Sequence, residues 1–183
     1  RLGYQCYFME GAEELNMEKT IRHYKVLREI GKGGMGIVYK ALNPANQQNV
    51  AIKILPPSMV DRAAVERFRR EAQAMSKLKH QNLLEVFDVG MEKGQHYLVM
   101  EYIEGESLKT KIKHESPLDM KEILNISAAV CDALGYIHQQ GMIHRDIKPA
   151  NIMINQNGVV KLMDFGLVKI SGITNVTMPG SSV

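Results

Sequence analysis

The chain of 183 residues is long enough for one domain with its own core, and 45% of it is hydrophobic. Lys and Arg number 23 against 20 Asp and Glu, a formal net charge of +3, scattered along the chain and too small to point to nucleic acid. No apolar run approaches the ~20 residues that cross a bilayer. The two cysteines, Cys6 and Cys131, lie far apart without a CxxC, which excludes a disulfide framework and predicts a reducing, cytoplasmic setting.

Taken in order, residues 1–20 carry no strong period and are expected to form a poorly ordered extension. The chain begins with Arg1, so Met9 and Met17 are candidate native starts. Tyr24 to Ile30 has strand character and ends at Gly31. Ile37 to Leu42 is a second strand, closed by the turn cluster Asn43-Pro44-Ala45-Asn46. Val50 to Leu55 is a third, stopped by Pro56-Pro57. From Asp61, a candidate N-cap, to Lys79, the residues Val65, Phe68, Ala72, Met75 and Leu78 recur at helical spacing. Leu83 to Val89 and Tyr97 to Ile103 read as two further strands, giving a five-stranded unit with one helix over residues 21–103.

After Gly105 the pattern turns helical. Ser107 to His114 is a short helix and Leu118 to Gln140 a long one, with Ile123, Ile126, Val130, Leu134 and Ile137 on one core-facing stripe. Asn151 to Asn155 and Val159 to Met163 are short strands around an Asn157-Gly158 turn. There is no internal repeat and no low-complexity segment.

Gly31-Lys32-Gly33-Gly34-Met35-Gly36-Ile37-Val38 fits GxGxxGxV. A dinucleotide fold would need a helix after the last Gly, and an apolar strand follows instead. A Walker loop would need Ser or Thr after its Lys, and Gly33 stands there. Val50-Ala51-Ile52-Lys53 places an ammonium on an apolar strand, where burial demands a partner. Glu71, beside the apolar stripe of the following helix, is the candidate. His144-Arg145-Asp146-Ile147-Lys148-Pro149-Ala150-Asn151 then precedes Asp164-Phe165-Gly166. An Asp, a Lys and an Asn at that spacing, with a second Asp downstream, can converge on one phosphoryl group.

With these motifs in this order, residues 21–183 resemble a protein kinase, and GKGGMGIVYKA is most similar to bacterial serine/threonine kinases of the eukaryotic type. The resemblance implies an α+β, bilobal protein-kinase-like fold: a five-stranded N-lobe with helix C over 21–103, then an incomplete, mainly helical C-lobe over 104–183 that ends in the activation segment. It implies ATP and Mg2+ as cofactors, and proteins with Ser or Thr acceptors as substrates, self-association for autophosphorylation included. Gly31, Lys32, Gly33, Gly34 and Gly36 would cradle phosphates, and Lys53, held by Glu71, would bind them. Met100 would be the gatekeeper, the backbone of Glu101 and Ile103 would bond the adenine edge, and Val38, Ala51 and Met153 would sandwich its ring. Asp146 would accept the hydroxyl proton, Lys148 would steady the phosphate, and Asn151 and Asp164 would hold magnesium. His144 and Phe165 would be structural, stacked with Met75 and Val86.

Lys148 is the serine/threonine form at its place, and Leu167 after Gly166 is compatible with serine as acceptor. Arg145 is the residue that often partners a phosphate in the loop after Asp164, so Thr174 and Thr177, with Ser171, are candidate phosphosites. Gly180-Ser181 resembles the family's substrate-facing Gly-Thr. The family continues past this point into an APE motif and further helices, so the chain is expected to be a fragment or a truncated kinase, inactive alone. A non-catalytic ATP-binding or scaffold module is the alternative. A small-molecule phosphotransferase would not need Lys148-Pro149 or Gly180-Ser181.

Overall fold

The computed structural model describes residues 19–33, 36–56 and 62–163. Gly34, Asp61, Asp164 to Gly166, Leu167, Ser171, Thr174, Thr177, Gly180, Ser181 and the 1–18 segment lie outside the described residues, as does the side chain of Glu71. A six-stranded antiparallel sheet comes first. Its strands are β1 (Thr20–Ile21), β2 (Tyr24–Gly33), β3 (Gly36–Asn43), β4 (Gln48–Ile54), β5 (Val86–Glu92) and β6 (Gln95–Glu101), in the spatial order β1-β2-β3-β4-β6-β5. The added strand is β1, whose Thr20 pairs with Lys25, so the fold reaches into the segment expected to precede it. Two residues are too few for a period to be read from sequence.

Alternation along these strands divides the side chains between two faces. On one face Ile21, Tyr24, Ala41, Val50, Ile52, Tyr97 and Val99 form a small core. The guanidinium of Arg22 is anchored to Asp88 at 2.6 Å, which fastens the β1–β2 turn to β5. On the other face Ala51, Leu98 and Met100 join the main core, with Val38 packed against it. Helix α1 (Arg62–Met75) packs there through Phe68, Ala72 and Met75, all buried. It ends at Met75, short of the expected Lys79, because Lys77 and Leu78 donate to the carbonyls of Ala74 and Met75 in a tight turn. Leu78 stays buried even so.

The segment after α1 explains a second difference. Leu83 and Leu84 were expected in a strand, yet β5 begins at Val86. The N–H of Leu84 donates to the Leu162 carbonyl, the N–H of Leu162 donates to the Asn82 carbonyl, and Leu83 bridges Leu162. The backbone of 82–84 is thus paired with the second sheet, not the first. That sheet has three strands, β7 (Gly105–Ser107), β8 (Ile152–Asn155) and β9 (Val160–Leu162). Strand β6 stops at Glu101, two residues before the predicted end, because its last partner in β4 is Val50.

Ser107 caps helix α2 (Leu108–Glu115) by accepting from the Thr110 N–H at 3.1 Å. Asp119 caps α3 (Met120–Gln139) in the same way toward Lys121 at 3.2 Å. The stripe of α3 is only partly covered. Ile126, Ala133 and Ile137 are buried, Val130 and Leu134 pack at the edge of the core, and Ile123 remains 41% exposed. A 3-10 turn, Pro149–Asn151, then delivers the chain into β8. Among the described residues, no helix is long and apolar enough to cross a membrane.

Candidate active site

The segment Met142–Ile147 has no regular structure, and its buried polar side chains are His144 and Asp146. His144 is 1% exposed. The Asp146 N–H donates to its Nδ1 at 3.3 Å, so Nε2 carries the proton and donates to the Met163 carbonyl at 2.8 Å. One buried imidazole therefore joins the loop to the end of β9. Arg145, between them, sits at φ 64, a left-handed conformation that a non-glycine residue holds only when its neighbours enforce it.

Asp146 is 8% exposed. Its Oδ2 accepts from Lys148 Nζ at 2.8 Å and from Asn151 Nδ2 at 3.0 Å. Asn151 Nδ2 donates also to the Asp146 carbonyl at 2.8 Å. Both duties fall on the amide nitrogen, which turns the amide oxygen of Asn151 to other use. Asn151 is itself pinned, its N–H to the Lys148 carbonyl and its own carbonyl to the Met163 N–H. The structure thus brings Asp146, Lys148 and Asn151 into one hydrogen-bonded cluster. Met163 binds His144 and Asn151 through its backbone, and Asp164 is the next residue in the chain.

Other candidate residues lie on the underside of the first sheet, the face turned to α1. Lys53 is buried on β4 and is paired across the sheet with Val38. Gly33 pairs with Gly36 where the Gly-rich segment returns into β3. Only some of these glycines are required by space. A Cβ on Gly31 or Gly33 would meet little, whereas one on Gly36 would fall 1.9 Å from the Ile54 carbonyl oxygen. Met100 is buried, and the N–H of Glu101 donates to the Glu85 carbonyl at 2.9 Å. Met153 alternates with Ile152 and Ile154, which are both in the main core, and so it faces away from that core. Met75 and Val86 share the main core.

Sequence reasoning missed one feature beside these residues. Lys161 on β9 donates to Glu101 Oε2 at 2.9 Å and to the Leu83 carbonyl at 3.3 Å, and the Glu85 N–H approaches the same Oε2 at 3.4 Å. One ammonium ties β9 to the end of β6. The pair lies between the exposed and buried classes, its side chains 16% and 30% exposed. Lys161→Met should therefore cost about 1–2 kcal/mol, or roughly 2–8 °C in Tm for a chain of this size. Adding Glu101→Gln should recover part of that loss, because the stranded carboxylate is then gone. Thermal unfolding of wild type, both single variants and the double variant measures this; equal stability of Lys161→Met and wild type would dismiss the link.

A curled antiparallel sheet with one helix beneath it, set over a loop that gathers Asp, Lys and Asn, defines a protein of kinase architecture. The protein kinase domain family model matches residues 24–179, and the chain belongs to that family. It is 43% identical over 159 residues to the serine/threonine-protein kinase PrkC of Bacillus subtilis, covering 86% of this chain and 24% of that one. It is 39% identical to a probable serine/threonine-protein kinase PknB of Lactococcus lactis, covering 84% and 25%. The crystal structure of the PknI kinase domain of Mycobacterium tuberculosis superposes with a TM-score of 0.76 at 35% identity, covering 83% of this chain and 61% of that one. The chain thus spans about a quarter of the length of these curated relatives.

Proposed function

We propose that the protein transfers the γ-phosphoryl group of ATP to Ser or Thr hydroxyls of protein substrates, itself included, in a Mg2+-dependent reaction. The Asp146–Lys148–Asn151 cluster carries the reading. The residues fit the cofactors by their chemistry. The amide oxygen of Asn151 is a hard ligand suited to magnesium, and the carboxylate of Asp164 is the second. Val38 and Ala51, on the same face of the sheet as Lys53, would suit an apolar ring, as would Met153. Bound ATP supplies the phosphoryl group, and magnesium neutralises its charge.

The work of the chain is then positional and acid–base. The Asp146 carboxylate, oriented by two donors, receives the proton of the acceptor hydroxyl as its oxygen bonds to phosphorus. The bond from phosphorus to the leaving oxygen breaks, and the electron pair departs on the nucleotide. Lys148 carries positive charge toward the transferred group. Lys53 anchors phosphates, with Glu71 holding Lys53, and the Gly-rich segment covers them. In this reading residues 21–103 form the N-lobe with its hinge, residues 104–183 belong to the C-lobe, and the protein works in the cytoplasm.

The experiment, run on the full-length protein because the 183 residues alone are expected to be inactive, is phosphoamino-acid analysis after incubation with labelled ATP and a mixed panel of Ser, Thr and Tyr peptides. Phosphoserine or phosphothreonine is expected, and it should disappear with chelation of magnesium. Nucleotide binding without any label transfer would favour the non-catalytic alternative.

Lys53 and Glu71 should act as a unit. Lys53→Met and Glu71→Gln should each reduce kcat/KM, and the double variant should lose less than the sum. Strictly additive losses would argue against a shared role.

A further inference from the structure

We propose that Lys40 is a positioning residue for the nucleotide, latching the roof strand β3 to the hinge through the ring of Tyr102. The proposal rests on the ATP reading above. Its observation is independent of the motifs: the Lys40 ammonium lies 4.2 Å from the centroid of the Tyr102 ring, well inside the range of a cation–π contact.

The register says which side of the sheet this contact occupies. Lys40 is directly opposite Ala51, and Val38 is opposite Lys53. Opposed residues of an antiparallel pair share a face, as do residues two apart on one strand. Lys40 therefore shares the face of Val38, Ala51 and Lys53, the underside assigned to the nucleotide. Its neighbours in sequence, Tyr39 and Ala41, belong to the core on the opposite face. A solvated surface lysine needs no place on that underside.

Tyr102 is the residue that most needs a tie. The ladder between β4 and β6 ends at Val50 opposite Glu101, and Tyr102 is the first residue beyond it. It stands between Glu101 and Ile103, the two residues whose backbone would meet the adenine edge. Holding the Tyr102 ring from β3 fixes that backbone relative to the roof formed by Val38 and Ala51. Lys161 holds the adjacent Glu101 from β9. The hinge is thus gripped from above and below at consecutive residues. Both Lys40 and Tyr102 are partly buried, so the contact is less screened than at an open surface.

The contact acts on binding and leaves the transferring groups alone. Lys40→Met keeps most of the aliphatic stem and removes the charge. It should raise the KM and the Kd for MgATP about two- to five-fold, the range of a cation–π contact of this exposure. The kcat should stay within about two-fold, and the Tm should move little. Lys40→Arg should restore wild-type affinity, since a guanidinium stacks on an aromatic face as well as an ammonium does. Tyr102→Phe should be near neutral, Tyr102→Leu should match Lys40→Met, and the Lys40→Met/Tyr102→Leu pair should be no worse than either single variant.

Lys53→Met serves as the control for the nucleotide site itself. If the parent protein binds MgATP and Lys53→Met weakens it, while Lys40→Met binds as the parent does, the latch is wrong and the ATP reading stands. If the two single losses simply add in the Lys40→Met/Tyr102→Leu protein, Lys40 acts elsewhere and the latch is again wrong. A parent protein that binds no MgATP would overturn the ATP reading and the latch together.

Discussion

Asp146→Asn should lower kcat by roughly 10²–10⁴, the range for a positioned acid–base group, with little change in ATP affinity. The substitution keeps the shape of the side chain and removes the ability to take a proton. An amide oxygen in the place of Oδ2 can still accept from Lys148 and Asn151, now 2.8 and 3.0 Å away, so the loop should hold its form. Lys148 loses its counter-charge but is 42% exposed, so water can solvate it and the stability loss should be small. Steady-state kinetics over a range of ATP concentrations, with a nucleotide-binding titration, separates the two effects. A variant that lost ATP binding but kept its turnover would place Asp146 in the wrong role. The His144 contact sharpens the test. Because the imidazole accepts from the Asp146 backbone N–H, which the substitution keeps, Asp146→Asn should leave the link to Met163 intact.

Much of this arrangement was legible because its causes are local. The strands around Ile37 to Leu42 and Val50 to Leu55 announce themselves by β-branched runs between turn residues, and the cluster at Asp146 is confined to six consecutive residues. What escaped depends on distant partners. The Lys161–Glu101 and Lys40–Tyr102 contacts exist only once the fold has brought β9, and β3 across β4, near the end of β6, and nothing in either lysine's own neighbourhood announces its partner. Leu83 and Leu84 have the composition of a strand and satisfy their backbone with Leu162 in the other sheet, a choice made by tertiary packing over local preference. Ile123 keeps the spacing of its stripe yet lies exposed, because a periodic pattern records which face is apolar and not how far along it the cover extends.

The Gly-rich segment shows the same limit in its sharpest form, and Gly36→Ala should be among the most damaging single changes outside the loop. In the motif the glycines are equivalent letters. Among the described glycines of the segment, Gly36 alone combines φ 113 with a Cβ position 1.9 Å from the Ile54 carbonyl oxygen, while Gly33 has nothing within 4 Å of its own. The backbone conformation by itself should cost about 1–3 kcal/mol in an alanine. The overlap adds to this, because Ile54 belongs to β4 and is paired with Ile37. Relief requires prising β3 from β4 next to Lys53. Gly36→Ala should therefore lower the Tm by at least roughly 2–12 °C, the backbone cost alone, and weaken MgATP binding on the order of tenfold or more, a displacement worth about 1.4 kcal/mol at the phosphates. Gly33→Ala should leave the Tm within a degree or so of wild type, and any loss it causes should be confined to nucleotide affinity. Thermal unfolding and nucleotide titration of the two variants side by side decide the matter. Equal stability of Gly36→Ala and Gly33→Ala would mean that the close approach to Ile54 does not shape the segment.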